Sequence, residues 1–196
     1  MERRETALPG VWELRSRIFH DARGFFLETY DRRKFAEMGI RDSFVQDDYS
    51  CSSKGTLRGL HYQIRHPQAK LCRVVGGEAF DVAVDIRVGP PYFGKWAGVL
   101  LRAEDQNQVY IPAGFAHGFL ALRDNVQFVY KCSEFYDPPT RAAYFGAIRI
   151  SAFPGASCIR SCRRMTQNWA SFRTSRWTRS RDTKKHRESR GLGLSL

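Results

Sequence analysis

From about residue 8 to residue 132 the chain alternates apolar and polar positions in short runs, and this period of two predicts strands. Val11-Trp12-Glu13-Leu14 and Arg17-Ile18-Phe19 open the series. Asp21-Ala22-Arg23-Gly24 reads as a turn, and residues 25–30 as a further strand. Asp31 suits an N-cap, so a short helix is expected over 32–38, closed by Gly39. Strands follow at 44–50, 55–63, 71–75, 79–86, 96–102, 108–111 and 126–132, punctuated by Gly76-Gly77, Pro90-Pro91 and Gly94. Within 79–86 apolar residues alternate with acidic or small ones, which predicts a half-buried strand. Many short strands, Gly/Pro turns and one short helix imply an all-β barrel or sandwich.

At Pro138 the character changes. Alternation stops, Arg and Ser dominate, and aliphatic residues thin out, so 138–196 reads as a disordered or poorly packed tail behind a domain spanning 1–137. The charge divides at the same place. The net charge of +12 splits into 19 Lys+Arg against 18 Asp+Glu through Asp137, and 13 against 2 beyond it. The basicity therefore says nothing about the partners of the main domain, and Lys184-Lys185-His186-Arg187 reads as solvated charge rather than a nucleic-acid patch. Five scattered cysteines, an odd number, point to a reducing, cytoplasmic compartment. No apolar run reaches the length of a membrane helix, and Met1-Glu2-Arg3-Arg4-Glu5 is not a signal peptide.

The densest candidate chemistry lies in Gly55-Thr56-Leu57-Arg58-Gly59-Leu60-His61-Tyr62-Gln63 and Lys70-Leu71-Cys72-Arg73. On a strand, His61 and Gln63 share a face. After a loop containing Pro67, Lys70 approaches from a neighbouring strand. An imidazole that titrates near neutrality, an ammonium and the Arg58 guanidinium would then meet in one cavity. A half-buried strand with a satisfied histidine and two surface cations would give the same pattern.

Pro112-x-Gly114-x-x-His117 resembles the second motif of the cupin superfamily, a jelly-roll barrel or double-stranded β-helix. A metal-binding cupin has a second His two residues after the first, where this chain has Gln63. His61 and His117 alone fall short of the three protein ligands usual in a catalytic metal site, so no metal is expected.

Taken together, the motifs resemble the dTDP-4-dehydrorhamnose 3,5-epimerase family. The matching pieces are 19–28, Phe44-Val45-Gln46-Asp47, 55–63, Ala69-Lys70-Leu71, 80–87, 112–119 and Phe128-Val129-Tyr130-Lys131-Cys132, in order over about residues 15 to 139. The resemblance implies a jelly-roll homodimer that acts on a nucleotide-linked keto sugar without a cofactor. The chemistry agrees with the residues. Epimerisation beside a ketone needs a base, an acid on the other face of the ring and a group to hold the enolate oxygen. His61 suits the base, Tyr130 the acid and Lys70 the oxyanion, with His117 in support. By resemblance Arg58 orients substrate, while Arg23, Glu28, Gln46, Asp47 and Asp48 line the nucleotide-sugar pocket. The family usually has Asn at position 48, and a carboxylate there repels a diphosphate. A single-carbon epimerase, a ketoisomerase and a non-catalytic sugar-binding barrel remain alternative readings.

After Tyr136-Asp137-Pro138 the family pattern is lost. It normally continues through an Arg-Gly-Ile-like run to Leu-Ser-x-x-Asp, whose Asp pairs with the catalytic His. Reading from the last base of the Arg141 codon, synonymous codons for 141–154 can yield Arg-Gly-Ile-Leu-Trp-Ser-Asp-Pro-Asp-Leu-Gly-Ile-Pro-Trp. The same frame through Met165-Thr166 yields Val-Leu-Ser-Ala-His-Asp. The tail therefore reads as a frameshifted translation.

Overall fold

The computed structural model describes residues 1–89 and 91–143. They form β1 (Glu2–Glu5), β2 (Trp12–Arg15), β3 (Ile18–Asp21), β4 (Gly24–Leu27), α1 (Arg32–Glu37), β5 (Gln46–Ser52) and β6 (Leu57–Gln63). There follow β7 (Lys70–Gly76), β8 (Glu78–Asp85), β9 (Trp96–Arg102), β10 (Asn107–Ile111), β11 (Phe115–Ala121), β12 (Val126–Cys132), a 3-10 turn (Pro138–Thr140) and β13 (Arg141–Ala143). The strands build a six-stranded sheet, β1-β2-β10-β7-β12-β5, and a five-stranded sheet, β13-β6-β11-β8-β9. From β5 onward sequence neighbours are dealt to different sheets, except for the paired β8 and β9, and all the pairings are antiparallel: this is the expected all-β jelly-roll barrel.

Alternation decides what each strand gives to the barrel interior. On β7, Cys72 and Val74 join the main core, while Leu71 turns outward to Leu14, Phe35, Ile40 and Tyr110. Phe35 is the buried residue of α1, so this outward cluster seats the helix on the six-stranded sheet. Asp31 caps that helix, accepting from the backbone N–H of Arg33 at 2.8 Å and of Lys34 at 3.3 Å. On the other sheet, Val82, Val84, Ala116 and Leu120 face away from the main core into a third cluster, while Phe119 and Phe128 stack inside at 3.9 Å between centroids.

The helix and the strands at 96–102 and 126–132 fall where the pattern places them. The strand expected to be half-buried does not: β8 is buried on both faces, because the third cluster covers its outer side. The apolar Val82 and Val84 take that outer side, and the acids Asp81 and Asp85 share the inner face with Ala79 and Ala83, buried in protein rather than in solvent. β1 escapes a pattern reading because its four residues are all charged and exposed, and it adds to the sheet through backbone pairing with β2. The sheet also runs past the expected boundary at Asp137, since Arg141–Ala143 pairs with β6. The remainder of the expected tail, where the basic run and most of the expected frameshifted stretch fall, lies outside the described residues. No helix among the described residues is long and apolar enough to cross a membrane.

Candidate active site

A cavity of about 370 Å³ opens between the two sheets. One wall is β6, which supplies Arg58 and His61. Residues three apart on a regular strand face opposite sides. Here the register against β11 shifts: His117 lies opposite His61 and Phe119 opposite Arg58, so Gly59 and Leu60 together face Gly118. The extra residue is a bulge, and it turns both functional side chains to the cavity. The two backbones touch at this point. A Cβ on Gly59, whose φ is +139°, would lie 2.5 Å from Gly118 Cα, and one on Gly118 would lie 2.6 Å from the Arg58 carbonyl. Arg58 is held by its Nε–H donating to Ser52 Oγ at 2.9 Å.

The facing wall comes from the six-stranded sheet: Lys70 on β7, Tyr130 on β12, Gln46 and Asp48 on β5. Tyr130 pairs in register with Asp48 on one side and Cys72 on the other. The Lys70 ammonium sits 5.6 Å from the centroid of the Tyr130 ring. Gln46 Nε2 donates to Asp48 Oδ2 at 2.8 Å, and Gln46 Oε1 accepts from the Tyr136 backbone N–H at 2.9 Å. The Asp48 carboxylate is thus inside the cavity. It also takes the Cys132 thiol at 3.7 Å. Burial drives that thiol up to about 12, against the opposing charge of Lys70.

His117, on β11 directly across from His61, makes a buried contact with a carboxylate: its Nε2 is 2.8 Å from Asp81 Oδ2, with the two side chains 8% and 1% exposed. Cys72 Sγ lies 3.7 Å from the same nitrogen. Burial, and then the Asp81 charge, push the Cys72 thiol well above its usual range. Asp81 is the functional group that a pattern reading misses, since an acid alternating with apolar residues looks like the wet face of a strand.

Of the residues singled out in the sequence, Gln46, Asp48, Arg58, His61, Lys70, His117 and Tyr130 come together around the cavity. Three do not. Asp47 faces outward, its neighbours on β5 pointing in, and pairs with Lys131 at 2.8 Å. Arg23 sits on the β3–β4 hairpin, which forms a separate two-stranded sheet; its side chain is 90% exposed and bonded to Asp21. Glu28 follows the same hairpin and pairs with Lys34 at 2.7 Å. Gln63 faces the cavity as its spacing predicts, but its amide is engaged. Nε2 donates to the His66 carbonyl at 2.8 Å, and Oε1 accepts from the Asp137 N–H at 2.9 Å. Tyr136 and Ser50 line the cavity without a sequence signal, and the Ser50 hydroxyl is buried with no hydrogen-bond partner among the described residues.

An imidazole and a phenol on facing walls of a jelly-roll cavity, with an ammonium beside the phenol, are a donor set suited to acid–base chemistry. Comparison with known proteins narrows the class. The family model for dTDP-4-dehydrorhamnose 3,5-epimerase matches residues 5–145, and the chain belongs to that family. It is 52% identical over 139 residues to the Pseudomonas aeruginosa dTDP-4-dehydrorhamnose 3,5-epimerase, covering 70% of this chain and 77% of that protein. A Neisseria gonorrhoeae relative of the same name is 54% identical over 136 residues; there the match spans 69% of this chain but only 42% of the relative. Among solved structures, the Legionella pneumophila 3,5-epimerase in complex with dTDP-4-keto-L-rhamnose superposes with a TM-score of 0.73 at 45% identity, covering 74% and 78% of the two chains. The Bacillus anthracis epimerase with TDP and PPi bound gives 0.73 at 37% identity, covering 78% and 89%.

Proposed function

We propose that this chain epimerises dTDP-4-dehydro-6-deoxy-D-glucose at C3 and C5, giving dTDP-4-dehydro-L-rhamnose in the biosynthesis of dTDP-L-rhamnose. The observation that carries the reading is that His61 and Tyr130 enter one cavity from opposing sheets. Inversion at a carbon beside a ketone requires removal of a proton from one face and delivery to the other. A single group on one wall would return the proton to the face it came from. His61 takes the proton, Tyr130 supplies one from across the ring, and the Lys70 ammonium holds the enolate oxygen, where a dry cavity strengthens its charge. His117 supports that oxygen, fixed by Asp81. Arg58, braced by Ser52, holds the diphosphate, and Gln46 and Asp48 line the sugar-nucleotide end.

The same reading includes a cytoplasmic homodimer. The β3–β4 hairpin exposes Phe19, Phe25 and Phe26 at 51, 55 and 71%. A two-stranded ribbon is marginal alone, and an exposed apolar patch marks an interaction site. Docked on a second copy, the hairpin carries Arg23 and Glu28 towards that copy's cavity, which accounts for their distance from their own. The reading also takes 138–196 as a frameshifted remnant of the family's C-terminal segment. Sequencing the gene tests that part: an unbroken frame near Thr140 overturns it.

Solvent deuterium incorporation into dTDP-4-dehydro-6-deoxyglucose, located by carbon position, tests the activity. Uptake at both C3 and C5 is the expected result. Uptake at one carbon alone would make the chain a monoepimerase, and binding without uptake a sugar-binding barrel.

A further inference from the structure

Cys72, Asp81 and His117 come from β7, β8 and β11, and one donor atom of each lies within 4.8 Å of the other two. All three side chains are buried. We propose that this triad binds a thiophilic divalent cation of the zinc class, and that loading it inhibits the enzyme by taking His117 Nε2 from its contact with Asp81. The binding half stands on geometry alone; the inhibitory half rests on the epimerase reading of His117.

The dimensions suit such an ion. Zinc holds sulfur at about 2.3 Å and imidazole nitrogen or carboxylate oxygen at about 2.0–2.2 Å, so a tetrahedral site separates S from N by about 3.6 Å and N from O by about 3.3 Å. The Cys72–His117 separation of 3.7 Å already matches. The His117–Asp81 separation of 2.8 Å is a hydrogen bond that must open by about half an ångström. Charge also fits. A dication with one thiolate and one carboxylate is neutral, which is the arrangement a buried position tolerates. Binding to a neutral imidazole releases one proton, from the Cys72 thiol to solvent, and the imidazole proton then sits on Nδ1 with Nε2 on the metal. One sulfur, one nitrogen and one oxygen favour zinc, cadmium or cobalt over magnesium and calcium, which demand oxygen shells. Of the three donors, His117 also lines the cavity. This donor set differs from that of a metal-binding cupin: the position two after His61 is Gln63, whose amide is engaged by backbone groups.

The untagged full chain, freed of metal and titrated with Co²⁺ alone, tests the site. One equivalent should give a thiolate-to-cobalt charge-transfer band together with the intense visible bands of four-coordinate cobalt. Cys72→Val, which keeps the side chain apolar, should remove the charge-transfer band and weaken Zn²⁺ competition by about 100-fold or more, since even outer-shell changes cost 10–100-fold. A background variant with Cys51, Cys158 and Cys162 all changed to Ser should keep the band. A band that survives in Cys72→Val, or none in the unaltered chain, overturns the site. For inhibition, saturating Zn²⁺ should suppress deuterium exchange in the unaltered chain, reversibly with chelator, and leave Cys72→Val at its metal-free rate. Zn²⁺ that binds with the spectroscopic signature yet leaves exchange untouched overturns the inhibitory half. A preparation without any exchange fails the epimerase reading while the cobalt spectrum still decides the site.

Discussion

Arg58 and His61 face the same cavity although they stand three residues apart on one strand. The contact between Gly59 and Gly118 at the bulge makes this possible. Gly118→Ala is expected to force the strands apart and turn both side chains. Overpacking of this kind costs about 1–3 kcal/mol, and a misplacement of about 1 Å at a reacting group costs on the order of 10² in rate. Melting temperature and kcat/KM measured together check this. A variant with native values of both would show that the bulge does not set the site.

His61→Ala is expected to abolish deuterium exchange at both carbons, because the proposed reaction gives no other group its role as base. Tyr130→Phe should still exchange the proton but deliver little inverted product, with a loss of about 10²–10⁴ for a missing general acid. Nuclear magnetic resonance of the sugar ring separates the two outcomes. Unchanged inversion in Tyr130→Phe would assign the acid elsewhere.

Asp85 offers a stability switch remote from the chemistry. Its fully buried carboxylate accepts from the Arg87 backbone N–H at 2.9 Å and from Nη2 at 2.6 Å. Burial raises its pKa, but these bonds outweigh burial and hold the group below the usual carboxylate range. A depressed folded-state pKa gives stability that is complete above the unfolded value near ~3.9 and is lost as pH falls through the folded value. Asp85→Asn should therefore cost about 2 kcal/mol at neutral pH and flatten the acid limb of the stability profile. Urea unfolding at neutral pH and near pH 3 measures both; parallel acid limbs in variant and parent would refute the assignment.

A version of the gene with its frame restored after Thr140 is expected to be faster by about 10²–10³, the scale of an ordinary acid–base contribution. The restored Asp would orient His61 as the resemblance implies. Solubility should improve as well, because the returned segment covers apolar surface. Equal turnover by the two versions would make that Asp dispensable.

Alternation made most of the barrel legible, since each strand keeps one face for the core. Lys70 and Tyr130 were expected on strands other than that of His61, and they stand on the neighbouring strands β7 and β12 of the opposite sheet. Counting failed for Arg58, because a bulge adds a residue that the sequence marks only as Gly59. Asp81 was hidden for another reason: its strand is covered on both sides, and period two cannot distinguish a wet face from a second buried one. Arg23 and Glu28 show a third limit. A resemblance gathers residues into one pocket, while the fold of a single chain places these two on the separate β3–β4 hairpin and just beyond it.

β13 meets β6 with Ala143 opposite His61 and Arg141 opposite Gln63. A ladder of this kind is written in peptide groups, which every codon but proline's supplies alike. The strand bearing His61 therefore gains its neighbour whichever frame the ribosome follows through these three residues. A slip of one base within these three residues would leave that ladder in place. A barrel carrying such a scar would pass for intact by spectroscopic measures of β content, and turnover and solubility would reveal the loss.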